Sequence, residues 1–140
     1  MTRTQRLQPV VRHADKKQQQ ALQAVAKSQA VYEAELGRLQ QLNNYRQEYQ
    51  QNSANLCSAY ELQELQRFLS QLDDTIVKQQ ELIGIREKEL EQIRQAWKLT
   101  RIDAKMMNKV VENIEKQEVI ELERQEQKVL DEFCQRIPRG

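Results

Sequence analysis

Glycine, proline, histidine and aromatic residues are all scarce in this chain. Three glycines, two prolines and 5% aromatic residues, set beside 31% charged ones, describe helix with a thin apolar seam. A two-layered globular core needs more large apolar side chains, so no enclosed pocket is expected. A single histidine, His13, and no catalytic signature leave nothing to converge on a substrate, and an enzyme is not expected. Apolar runs are only two or three residues long, so no segment approaches the roughly 20 residues needed to cross a bilayer. The first residues also lack the apolar centre of a signal peptide, and the chain is expected to stay in the cytoplasm. Two cysteines, Cys57 and Cys134, have no metal-ligand spacing, and a cytosolic setting keeps them reduced.

What the chain does have is a heptad repeat. Leu62, Leu69, Ile76, Ile83, Leu90, Trp97, Ala104 and Val111 recur at every seventh position. Leu65, Leu72, Ile93, Met107 and Ile114 fill the companion position three residues later. This is a coiled-coil seam on one very long helix over 59–134, roughly 110 Å from end to end at 1.5 Å per residue. Upstream, Pro9 suits the first turn of a helix. A second apolar stripe through Val11, Ala14, Ala21, Val25, Ser28, Tyr32, Leu39, Leu42 and Tyr49 extends that helix over 9–51. Residues 1–8 and 135–140 carry no packing pattern and are expected to be disordered.

Between the helices, Asn52, Ser53 and Asn55 form a turn-like cluster over 52–58, and Ser58 with Glu61 fits a capping box. A short connection between two long amphipathic helices makes them antiparallel neighbours. The fold class is therefore all-α, a single antiparallel two-helix coiled coil in which the second helix outruns the first. Bending the chain near Asn55 places Leu42 beside Leu69 and Pro9 near Arg101, leaving the second helix unpaired from about residue 105. Gln79, Arg86 and Gly84 interrupt the better seam layers, and the middle is expected to bend there. Cys57 falls at the turn and Cys134 at the far tip, too far apart for a disulfide.

Charge is segregated although the net is only +1. Arg94, Lys98, Arg101, Lys105 and Lys109, opposed only by Asp103, lie three and four residues apart and share one helical face. Arg12, Lys16 and Lys17 are expected close to this basic collar. Residues 112–132 hold eight acidic side chains against Lys116, Arg124 and Lys128, a net of −5. Nucleic-acid binding is disfavoured by the absence of a recognition motif and by this adjacent acidic segment. A membrane-surface helix needs a broader apolar face than this seam. What remains is a helical adaptor or stalk that binds other proteins. The collar and acidic segment, Arg94, Lys98, Arg101, Lys105, Lys109, Glu112, Glu115, Glu118 and Leu122, are candidates for such a contact.

Leu42, Tyr45, Glu48 and Tyr49 in LNNYRQEYQ before the turn, Phe68, Leu69 and Leu72 in QRFLSQLDDTI after it, Trp97 in a basic stretch, and the opening RLQPVVRHADKKQQQALQAVA together resemble the FliJ family of bacterial flagellar export. That resemblance implies an antiparallel two-helix coiled coil like the central stalk of rotary ATPases. It further implies association with the hexameric export ATPase FliI, contact with the export gate protein FlhA, and a role in cycling export chaperones, with no cofactor. The same resemblance assigns the gate contact to Leu42, Tyr45, Tyr49, Phe68 and Leu72, with Arg38, Thr75 and Gln79 on its border. On this reading the protein is a monomer that reaches the inner-membrane apparatus only through partners. Two alternatives stand beside it: the equivalent stalk of a virulence type III secretion system, and a scaffold self-associating through Val111, Ile114, Val119, Leu122 and Val129.

Overall fold

A computed structural model describes residues 2–55 and 58–137; Cys57 and residues 138–140 lie outside them. Two long helices, α1 (Arg3–Asn52) and α2 (Ala59–Arg136), pack against each other as a hairpin, with a 3-10 turn over Ser53–Asn55 at the end of α1. The chain divides into two compact units, Ala21–Trp97, and Met1–Gln20 with Lys98–Gly140. No helix of the described residues is long and apolar enough to cross a membrane.

The unit at 21–97 holds the turn end. Ser58 begins α2 as anticipated: its Oγ accepts from Glu61 N at 3.1 Å, and its carbonyl accepts from Leu62 N at 3.2 Å. Among the described residues Ile76 and Leu90 are its buried apolar side chains, and Leu39, Leu42, Leu65, Leu69 and Leu72 are half-buried along the same seam. Glu35 is also buried, only 6% exposed. Gln79 Nε2 donates to its carboxylate at 2.6 Å and to its main-chain carbonyl at 3.0 Å, and Arg38 donates from the same helix at 3.0 Å. Gln79 is thus a bonded polar layer rather than a soft place, and α2 runs through Gly84 without interruption. Nearer the turn, Arg46 forms an ion pair with Asp73.

The unit formed by 1–20 and 98–140 corrects two expectations. First, α1 starts at Arg3, before Pro9. Thr2 caps it: Thr2 Oγ1 accepts from Gln5 N at 3.3 Å, Gln5 Oε1 accepts from Thr2 N at 3.3 Å, and Arg6 N reaches the Thr2 carbonyl at 3.2 Å. This reciprocal capping box satisfies donors that a helix start otherwise leaves open. Pro9 is therefore internal and exposed, and its ring leaves the carbonyl four residues earlier, that of Gln5, without the usual donor.

Second, the register is longer than anticipated. The Glu118 carboxylate accepts from Thr4 Oγ1 at 2.8 Å and from Thr4 N at 3.3 Å, a favourable place for negative charge at a helix N-terminus. Ala104 and Val111 are buried, and Leu7, Val11, Ala14, Met107 and Ile114 are half-buried. Pairing therefore runs to Glu118, not to about residue 105. The turn-end contact of Arg46 with Asp73 shows a displacement in the same direction, about one heptad from the expected Leu42–Leu69 pairing. From 119 to 137 every residue is exposed.

Candidate functional sites

Within the turn-end unit, the candidate gate-contact residues form one cluster. Leu42, Leu72 and Tyr49 occupy seam positions, the first two half-buried and Tyr49 exposed, while Tyr45 and Phe68 stand outside the seam and are exposed. Tyr45 is 56% exposed, Tyr49 38% and Phe68 38%. Tyr45 and Tyr49, one helical turn apart, stack with ring centroids 6.2 Å apart and planes at 18°. Tyr49 then meets Phe68 of α2 at 4.6 Å and 49°. Three rings from two helices thus make a continuous, half-exposed aromatic ladder. Aromatic pairs at such separations gain about 0.5–1.5 kcal/mol beyond their area burial. Their outer faces remain open, the arrangement from which interface anchors are built.

The bordering residues are engaged within the hairpin. Arg38 and Gln79 both donate to Glu35, and Thr75 Oγ1 donates to the Gln71 carbonyl. A residue not singled out from the sequence, Tyr60, is 72% exposed beside the ladder and shares a groove with Tyr49, Leu65 and Phe68. Its position one residue into α2 was the available signal, because a seam pattern does not flag an aromatic residue outside the seam.

The second candidate set draws residues from both units. Arg94 belongs to the turn-end unit, where its Nη2 donates to Gln29 Oε1 at 2.7 Å. Lys98, Arg101, Lys105 and Lys109 are exposed in the other unit. Glu112 pairs with Lys116 at 3.5 Å, and Glu115 is exposed. Glu118 is committed to Thr4. Leu122 stands on the tail beyond, 57% exposed.

That tail carries an apolar stripe of its own, Val119, Leu122, Val129 and Phe133, flanked by Ile120, Leu130 and Ile137, all exposed. The stripe is out of phase with the seam. Counting by threes and fours from Ala104, Met107, Val111 and Ile114 reaches Glu118, Glu121, Gln125, Lys128 and Glu132, all polar. The tail stripe lies one residue later, about 100° around the helix. Cys134 is a free, exposed thiol on the same segment.

Comparison with known proteins decides what this hairpin is. A family model described as the flagellar FliJ protein matches residues 3–140. The chain belongs to the FliJ family. It is thereby a stalk protein associated with flagellar export, and the family is a non-enzymatic component of the export apparatus. No curated protein and no solved structure matches the chain.

Proposed function

We infer that this FliJ-family protein is a non-enzymatic, monomeric stalk and adaptor with two working ends. The tail beyond Glu118 engages the export ATPase FliI, and the aromatic ladder engages the cytoplasmic domain of the export gate FlhA, through which contacts the protein assists chaperone cycling. It works in the cytoplasm and meets the inner-membrane apparatus only through these partners. The observation that carries the reading is the tail: residues 119–136 are helical, amphipathic and wholly exposed. An isolated helix of that length is marginal in water without a face to bury. Its apolar stripe of Val119, Leu122, Val129 and Phe133 is of the kind that seats in another protein's groove. The exposed lysines Lys98, Lys105 and Lys109, with Glu115, add charge that steers association in a salt-dependent way.

Truncation after Glu118 tests it. The shortened protein keeps every contact between α1 and α2 described above and is expected to retain the helicity of the hairpin. It is also expected to lose co-sedimentation with FliI. Undiminished FliI binding by a folded truncation would refute the assignment of the tail.

A further inference from the structure

The groove beside the aromatic ladder is apolar within and acidic at its rim. Its floor and wall are apolar: Tyr49, Leu65 and Phe68 with the largely exposed ring of Tyr60, around a volume of about 430 Å³. Its rim carries two carboxylates, Glu61 and Glu64. Arg46 is held by Asp73, and Arg67 pairs with Glu64 at 3.6 Å through a side chain that is 73% exposed, a solvated pair that an incoming cation can replace at little cost. Glu61, in the first turn of α2, gains some stabilisation from the helix N-terminus. Glu64, a turn further on, has less of it.

We propose that this groove receives a segment of the partner protein in which an apolar side chain is flanked by lysine or arginine. The apolar side chain enters between Tyr60 and Phe68, and the cation meets Glu64 first and Glu61 second. The inference rests on FlhA binding at the aromatic ladder and adds the chemistry by which that partner is chosen. Charge complementarity selects the occupant: an acidic rim at the entrance costs little for a basic segment and repels an acidic one. A second copy of this chain presenting the same end would bring like charges together. Tyr60 supplies apolar area with a hydroxyl that can stay wet at the rim.

The test is titration of the purified FlhA cytoplasmic domain against four proteins: wild type, Phe68→Ala, Tyr60→Ala, and Glu61→Gln with Glu64→Gln together, with circular dichroism controlling for folding. The expected result is weaker binding by Phe68→Ala and Tyr60→Ala. The double glutamine variant should bind about three- to tenfold more weakly at low salt and lose most of the salt dependence seen in wild type. If Phe68→Ala weakens binding while the double glutamine variant matches wild type at every salt concentration, the ladder contact stands and the basic-segment proposal falls. If neither changes affinity, the contact itself lies elsewhere and both fall. Tighter binding by the glutamine variant would mean an acidic occupant and would overturn the proposal. So would a wild-type dimer in sedimentation that dissociates on Tyr60→Ala, since the groove would then hold a second copy.

Discussion

Glu35 and Gln79 give an opposite-sign prediction from two similar substitutions. Glu35 is 6% exposed and receives Gln79 Nε2 at 2.6 Å on its carboxylate. Replacing Gln79 by leucine removes that donor and leaves the carboxylate buried with Arg38 alone, whose side chain is 66% exposed. Losing a hydrogen bond to a charged group costs about 1.5–3 kcal/mol, and the new leucine returns about 1 kcal/mol through burial. Net destabilisation of about 1 kcal/mol is expected. Replacing Glu35 by leucine instead removes the buried charge, while Gln79 keeps its bond to the main-chain carbonyl at 3.0 Å. That variant should be neutral or more stable by about 1 kcal/mol, and the double leucine variant the most stable of the four, as exchanges of buried polar pairs for apolar ones often are. Urea unfolding followed at the helical dichroism band measures all four corners, and the coupling between the sites should be about 2 kcal/mol. If Gln79→Leu alone stabilises the hairpin, the carboxylate is not desolvated there and the reasoning fails.

Other substitutions follow from the same seam. Gly84→Ala should raise stability by about 1 kcal/mol, because a Cβ at Gly84 meets nothing within 4 Å and alanine is the better helix former; a shift in the urea midpoint reports it. Leu90→Ala, at a side chain 3% exposed, should cost about 2–5 kcal/mol in the same assay, since the gap falls in the buried seam between the helices. Glu118→Gln should weaken the bonds to Thr4 and open the start of α1, seen as faster amide exchange over the first two turns with Leu90 and its neighbours unaffected. In the free protein, amides of residues 119–136 should exchange well before those of the seam, because no apolar contact holds that segment closed.

The helical hairpin was legible because the heptad repeat is strong and the linking stretch is short, and Ser58 announced the start of α2 correctly. Register was not legible. A slip of seven residues returns every apolar seam position to the seam, so the periodicity that reveals a coiled coil is silent about such a slip. The polar residues hold that information. In the observed register Glu35 receives Gln79 Nε2 from α2 in addition to Arg38 from its own helix. Gln18, Glu35 and Arg46 occupy seam positions in α1, all part-buried or buried. An apolar pattern does not mark them. The start of α1 was legible too, in Thr2 and Gln5, but Pro9 is a louder helix-start signal than a Thr-x-x-Gln box. At the sites, Tyr45 and Phe68 stand outside the seam by counting, whereas the tie between Glu118 and Thr4 depends on a contact far apart in sequence.

The polar continuation after Ile114 explains where intramolecular pairing ends. If the seam had continued with apolar residues at 118, 121, 125 and 128, α2 would present an unbroken sticky edge past the start of α1, and a second chain could zip onto it in the hairpin's own register. Glu118 ends the seam with a bond to Thr4, and the next apolar residue, Val119, stands about 100° away. A partner docking on the tail must therefore approach from a different side than α1 does. Such a partner can bind without competing with the hairpin for the same face. The tail's stripe also contains Glu126, midway between Leu122 and Val129, which in an antiparallel pairing of two tails about that point would face its own copy. Like charges meeting inside an apolar stripe cost more than a solvated pair does, so the substitution that matters most for keeping this edge unpaired is the single carboxylate at its centre.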